Sequence, residues 1–361
     1  MKIAIMGTRG IPNNYGGFEQ FAEFLALGLV QKGHDVSVYN SHNHPYKKSS
    51  WNCVNIIHCF DPESKIGTIG QFVYDLNCII DTRKRHYDII LQLGYTSSSI
   101  WWWLLPFNKS TIVTNMDGLE WSRSKYSSRV KKFLKIAEKW GAVHSDVLVA
   151  DSIGIKDHLS SRYGINSTYI PYGANILNKS DSTDIVSFKL SPFNYDLLIA
   201  RMEPENNIEI ILDGFVRSSK TRAFVVIGNM STSFGKYLTN KFEGANILFI
   251  GAIYDLKKLN NLRYFSNLYF HGHSVGGTNP SLLEAMGSSC LICAHNNLFN
   301  QSILGDDGYY FESAQDIALS LDSCKKEKGS IMIKNNLDKV RDTYNWKTIV
   351  DQYEKLFLDS I

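Results

Sequence analysis

Neither sign of charge is in excess. Lys and Arg number 38 against 35 Asp and Glu, a formal net charge of +3. That balance does not suggest a nucleic-acid binder, which holds phosphate backbones with a strongly basic face. Long apolar runs are also missing. The longest block, Ile100 to Phe107, falls far short of the roughly 20 residues that cross a bilayer as a helix. At the start, Met1-Lys2 is followed by only Ile3-Ala4-Ile5-Met6 before Gly7, too short for the core of a secretory leader. A cytoplasmic chain that spans no membrane is expected. No Asp-x-Asp occurs, so a metal-chelated diphosphate of that type is not supported. Gly-x-Gly-x-x-Gly is absent as well: Gly7-Thr8-Arg9-Gly10 lacks the dinucleotide fingerprint. The six cysteines stand at 53, 59, 78, 290, 293 and 324. Cys290 and Cys293 form the one Cys-x-x-Cys, and no second pair has zinc spacing. Core thiols in a reducing compartment are expected.

What is present is ample core. The 361 residues are 44% hydrophobic and 20% charged, enough for two globular domains. Lys2 to Met6 reads as the first buried strand of a parallel sheet. A loop with four glycines runs to Gly17, and the next helix puts Phe18, Phe21, Ala22, Leu25 and Leu29 on one face before Gly33 closes it. Val36 and Val38 begin a second strand and complete a βαβ unit. Strands over 88–93, 111–113 and 147–150 and a helix over 128–143 continue the alternation. Tyr169-Ile170-Pro171-Tyr172-Gly173 and the polar tract 178–184 then break it. It restarts with strands at 196–200, 224–227, 247–250 and 291–294 and helices at 208–215, 280–286 and 314–321. The expected fold class is α/β, two doubly wound Rossmann-like domains facing a cleft. The first covers 1–175 and the second 176–344, with a terminal helix at about 345–361 crossing back to the first.

Ligands of such sheets bind beyond the carboxyl ends of the strands, which makes the loops there the candidates. Foremost is the stretch Val275 to Met286. Gly276 and Gly277 let the backbone turn its N–H groups toward one point, Thr278 or Asn279 suits the N-cap, and Pro280 suits the first helical position. With the positive end of the helix dipole, such a corner holds a phosphate or diphosphate. Glu284, one turn further in, would accept hydrogen bonds from the hydroxyls of a bound nucleotide. An ordinary capped helix after a glycine turn has the same signature. Arg201 ends a strand and opens Arg201-Met202-Glu203-Pro204-Glu205-Asn206-Asn207. It suits a diphosphate, or else pairs with Glu203 or Glu205.

Other loops carry weaker signals. Gly16-Gly17-Phe18-Glu19 is a second glycine-rich helix start whose amides can approach an anion or an acceptor sugar, or is a tight loop. Gly228-Asn229 and Gly251 to Tyr254 close strands and can pack a nucleobase. His271 and His273 share a face on an extended segment, but no third ligand lies nearby; they suit positioning of sugar or phosphate better than a metal. Asp117-Gly118-Leu119-Glu120-Trp121 offers two acids and an aromatic to a sugar, or is a turn with incidental acids. Arg123, Lys125, Arg129, Lys131, Lys132, Lys135 and Lys139, opposed only by Glu138, lie near Trp101-Trp102-Trp103. They suit an anionic lipid surface, or a solvated helix face with core tryptophans.

Taken together, Gly7–Pro12, Tyr15–Glu19, Met116–Trp121, Arg201–Asn207 and His271–Met286 resemble the GT-B glycosyltransferases of family 4, and more narrowly the bacterial polysaccharide rhamnosyltransferases. That resemblance implies a metal-independent, retaining-type hexosyltransferase that needs no cofactor. It would move rhamnose from dTDP-rhamnose onto a lipid-linked saccharide for a surface polysaccharide, at the inner face of the membrane. Glu284 matches the second acid of the Glu-x7-Glu motif, which binds ribose hydroxyls. Arg201 matches the diphosphate arginine, and the amides of Gly277, Thr278 and Asn279 match the loop that holds the distal phosphate. Gly16 and Gly17 match the glycine turn that faces the donor, and Asp117 falls near the family's cleft histidine. Asp117 or Glu120 would orient the acceptor hydroxyl. Asn206, Asn229, Tyr254 and His273 complete the expected donor contacts. Alanine at Arg201 or Glu284 is expected to abolish transfer with the fold intact. Two departures stand out: Gly276 where the first acid belongs, and Asn206 near the place of the usual lysine. They leave open transfer from a UDP-hexose or UDP-N-acetylhexosamine donor, and a non-catalytic nucleotide- or saccharide-binding partner.

Overall fold

The computed structural model describes every residue except Tyr15 and Ser124. Tyr15, which opens the second of the motifs above, therefore lies outside the described residues. The chain divides into two compact units, Met1–Tyr172 with Trp346–Ile361, and Gly173–Asn345. Each is a sheet flanked by helices.

The first unit holds β1 (Lys2–Met6), β2 (Asp35–Ser41), β3 (Ser50–Trp51), β4 (Val54–Cys59), β5 (Ile89–Leu93), β6 (Thr111–Asn115), β7 (Val147–Ala150) and β8 (Thr168–Tyr169). They lie in the order β3-β4-β2-β1-β5-β6-β7-β8. Every pair is parallel except the short β3–β4 ribbon. Central strands covered on both faces must be apolar throughout, and Ile3, Ala4, Ile5 and Met6 are wholly buried. The order reverses between β1 and β5. Helix α1 (Gly17–Gln31) buries Phe21, Ala22, Leu25, Ala26 and Leu29. Its Gly28 lets the terminal helix come close: a Cβ there would lie 2.5 Å from a Val350 methyl.

The second unit is a wholly parallel sheet of β9 (Tyr195–Ile199), β10 (Ala223–Ile227), β11 (Ile247–Gly251), β12 (Tyr269–His271), β13 (Ile292–His295) and β14 (Tyr309–Phe311). Its order is β11-β10-β9-β12-β13-β14. Leu198, Phe224, Val226, Phe270 and Cys293 carry its core, packed on Ile208, Ile211 and Leu212 of α4 (Ile208–Arg217). All six cysteines are free thiols; Cys53 is exposed, between β3 and β4, so the expectation of core thiols holds for the other five. No helix among the described residues is long and apolar enough to cross a membrane.

Helix α2 (Gly70–Lys84) buries an acid that the sequence pattern did not single out. Burial pushes the Asp75 carboxyl up to about 7, against the hydrogen bond donated by Ser97 Oγ at 2.6 Å. The folded chain thus keeps a proton that the unfolded chain has released. Stability from this group falls as pH rises from the ordinary carboxylate range through about 7. Asp75→Asn is expected to flatten that decline. Thermal melts of both proteins between pH 5 and 8 check it, and identical slopes would contradict a protonated Asp75.

Candidate functional site

The second sheet reverses its strand order between β9 and β12: β10 and β11 extend one way, β13 and β14 the other. Doubly wound sheets bind ligands at such a point, because two loops leave neighbouring strands and diverge. Tyr269 sits opposite Leu197 and Phe270 opposite Leu198, so the loops after β9 and β12 start side by side. They are tied together. Asn207 Nδ2 donates to the Gly272 carbonyl at 2.8 Å, and Ser274 gives the Glu205 carbonyl its hydroxyl at 2.7 Å and its N–H at 3.2 Å. A Cβ on Gly272 would lie 2.0 Å from the Asn206 carbonyl oxygen.

Arg201 opens the first of these loops and is exposed. Its carbonyl accepts from Asn206 Nδ2 at 2.8 Å. Among the described residues its guanidinium forms no ion pair with Glu203 or Glu205. Asn206 is buried beneath it, its side chain bracing the loop's backbone.

The second loop leads into α6 (Pro280–Gly287). Asn279 is the N-cap: its Oδ1 accepts from the Ser281 N–H at 3.0 Å, and Pro280 takes the first helical position. Gly277 and Thr278 are buried. Gly276 has φ +129°, a region that L side chains avoid. This explains the missing first acid, since a glutamate there would strain the turn.

Glu284 meets a partner that the sequence did not reveal. Arg263, in α5 (Leu256–Tyr264), donates from Nη2 to Glu284 Oε2 at 2.5 Å and is 1% exposed, against 14% for Glu284. Burial, the largest single influence, opposes the guanidinium's charge, but Glu284, Tyr269 and Cys290 together outweigh it and hold the Arg263 pKa above its ordinary value. The surrounding Leu-Lys-Lys-Leu-Asn-Asn-Leu-Arg-Tyr reads as a solvated helix, and nothing in it marks one cation as buried. Glu284→Ala would leave that guanidinium without its counter-charge, at a cost of about 3 kcal/mol or more. The expectation of an intact fold is corrected accordingly, and glutamine is the suitable replacement.

His271 ends β12, wholly buried, with both ring nitrogens lacking a hydrogen-bond partner among the described residues. Burial first, then the charges of His273, Arg263 and His295, hold its pKa well below the ordinary range, so the imidazole is neutral. Its ring stacks on His273 at 4.4 Å between centroids. The His273 carbonyl accepts from Asn297 at 3.0 Å and Asn300 at 3.1 Å. Among the described residues no group of three His, Cys, Asp or Glu is placed to hold a metal. Asn229 and Tyr254 follow β10 and β11, the strands that run away from the reversal. Asn229 is exposed and accepts from Ser231 within its own turn, and Tyr254 is 72% exposed.

In the first unit the loop after β1 leads to α1. Buried Glu19 joins its two glycine motifs by accepting from the Arg9 N–H at 2.8 Å and Thr8 Oγ1 at 3.3 Å. Gly16 caps α1 and Gly17 begins it, with no side chain spent on the helix end. Arg9 is held by both oxygens of Glu63, at 2.7 and 3.0 Å.

Asp117 follows β6 and accepts from the Tyr172 hydroxyl at 3.5 Å. Glu120 pairs with Arg123 at 2.7 Å. Trp121 donates its indole N–H to Glu138 at 2.7 Å, and Lys135 sits 4.5 Å from the centre of its ring. Glu138 lies on α3 (Ser128–Val143) but is buried, and it also accepts from His158 at 2.9 Å and Tyr163 at 2.7 Å. It therefore does not oppose the basic run at the surface, as the sequence suggested; it anchors Trp121. Lys125, Arg129, Lys132, Lys135 and Lys139 remain exposed, with Val130, Ile136 and Val143 among them. Trp103 is 60% exposed, while Trp101 and Trp102 pack on the core.

Residues 1–175 match a family model described as a domain of unknown function, DUF1972. No curated protein matches the chain. Solved structures do. Sucrose-phosphate synthase from Thermosynechococcus elongatus is 16% identical, with 99% of this chain and 98% of that one covered and a TM-score of 0.80. Anabaena HepE in complex with UDP and glucose is 14% identical, with both chains covered in full and a TM-score of 0.76. The α,α-trehalose 6-phosphate synthase of Burkholderia multivorans is 10% identical over 99% of this chain and 96% of that one, with a TM-score of 0.71. At these identities the likeness establishes the fold, the two parallel-sheet α/β domains of the GT-B type that the sequence led us to expect.

The joint between the two loops can be tested directly. Gly272→Ala forces a methyl onto the Asn206 carbonyl and is expected to cost about 2 kcal/mol, measured by urea denaturation. A neutral effect would mean that the loops are not locked together.

Proposed function

We propose that this chain is a glycosyltransferase whose nucleotide-sugar donor binds at the β9–β12 reversal. The observation that carries this reading is the joining of three features by hydrogen bonds at one sheet edge: an exposed arginine, a glycine turn, and a helix start capped through Asn279. The leaving nucleoside diphosphate develops negative charge as its bond to the sugar breaks. Arg201 and the amides of Gly277, Thr278 and Asn279 would stabilise that charge, and Glu284 would accept from the ribose. With the charge met this way no metal or other cofactor is required, as in a retaining GT-B enzyme. Asp117 is the better candidate to orient the acceptor hydroxyl, since Glu120 is paired with Arg123.

The motifs that resemble the rhamnosyltransferases support dTDP-rhamnose as donor and a lipid-linked saccharide as acceptor. A second reading has its own support: HepE, of the same fold, is described in complex with UDP and with UDP-glucose. Calorimetry with dTDP and UDP, followed by turnover with each nucleotide-sugar, separates the two. Binding of neither would overturn the enzyme reading. Arg201→Ala is expected to lower transfer about a hundredfold or more. Its melting temperature should stay unchanged, because that side chain is exposed. A destabilised variant would return Arg201 to a structural role.

The exposed cations and apolar residues of α3, near Trp103, suit peripheral attachment to the inner face of the membrane. Binding to anionic vesicles is expected to weaken as salt rises from 50 to 500 mM, roughly as phosphate-type screening requires. Sedimentation checks this, and equal binding to neutral vesicles removes the idea.

A further inference from the structure

The Arg263–Glu284 pair is asymmetric. The guanidinium is 1% exposed and the carboxylate 14%, so the cation lies inside and the acid between it and solvent. Stability does not account for such a pair, because apolar residues of like volume fill such space as well or better. The guanidinium is fixed from two sides: Nη2 donates to Glu284 at 2.5 Å, and Nη1 to Asn260 Oδ1 at 2.9 Å within α5. Arg263 thus ties the helix before β12 to the helix after it. It does so through the one acid of α6, one turn from the helix start that faces the β9–β12 reversal.

We propose that Arg263 is a positioning residue: it holds the Glu284 carboxylate in a single orientation, so that Glu284 accepts from the 3′-hydroxyl of a bound nucleoside diphosphate. This rests on the donor-site reading above. The 3′-hydroxyl is the one that uridine and thymidine nucleotides share, so the proposal holds for either donor.

Calorimetry of wild type, Glu284→Gln, Arg263→Met, Arg263→Lys and the double variant Arg263→Met/Glu284→Gln tests it. The probes are whichever of UDP and dTDP wild type binds more tightly, and the 3′-deoxy form of that nucleotide. Glu284→Gln and Arg263→Met are each expected to lose about tenfold affinity for the hydroxylated nucleotide, the worth of a hydrogen bond to a charged group, and little for the 3′-deoxy form. The lysine variant should recover part of the loss, and the double variant should be no weaker than Glu284→Gln alone. A merely structural arginine would weaken both nucleotides equally. That result, or unchanged binding by Arg263→Met beside a discriminating Glu284→Gln, overturns the positioning role and leaves the donor site standing. If wild type binds neither nucleotide, or Glu284→Gln does not discriminate, the donor-site reading falls and this proposal with it. Should Arg263→Met not fold, Asn260→Ala, which only loosens the guanidinium, carries the same comparison: a smaller loss confined to the hydroxylated nucleotide supports the role, and an equal or absent effect overturns it.

Discussion

The parallel pairing of β9 with β12 is the constraint on which the second unit's chemistry depends. These strands are far apart in sequence and adjacent in the sheet, so the chain reverses its direction of travel across the sheet there. Without that pairing, Arg201 and the Gly276–Asn279 turn would end on loops with no reason to meet. With it, two short loops share three hydrogen bonds and a glycine contact too tight for any other residue. The backbone is thereby ordered before any ligand arrives, which lowers the entropy cost of binding.

The same economy runs through the side chains. Asn206, Asn207 and Asn279 all spend their polar groups on backbone. Arg201 does not, and an exposed cation on an otherwise braced loop is what an anion site requires. In the first unit, Glu19 and Glu138 act as hubs: one ties the β1 loop to α1, the other holds Trp121, His158 and Tyr163. Buried carboxylates with several donors rigidify the loops around them.

Much of the fold was legible because its signals are local. Strands such as β1 and β7 are short apolar runs, and α3 and α7 (Trp346–Leu358) show helical spacing, so their limits could be read to within three residues. The N-cap and proline of α6 were legible for the same reason. What escaped depends on tertiary packing. Helix α5 looks solvated, yet Arg263 is buried; Glu138 looks like one acid in a basic stretch, yet it faces the core. The two-residue strands β3 and β8 are too short to carry a period. Trp121 suited a sugar platform in sequence, and only the packing of α3 brings Lys135 onto its ring.

Helix α7 completes the first unit from the far side of the sequence. Trp346 stacks on Phe24 at 4.5 Å, Tyr353 meets Phe21 at 5.4 Å, and Lys32 bonds Glu354 at 2.7 Å. On a translating ribosome, residues 173–345 must all emerge before that helix exists. At typical elongation rates this delay is on the order of ten to thirty seconds. For that interval the nascent first unit carries bare aromatic rings on α1, a window in which a holding chaperone has something to grip.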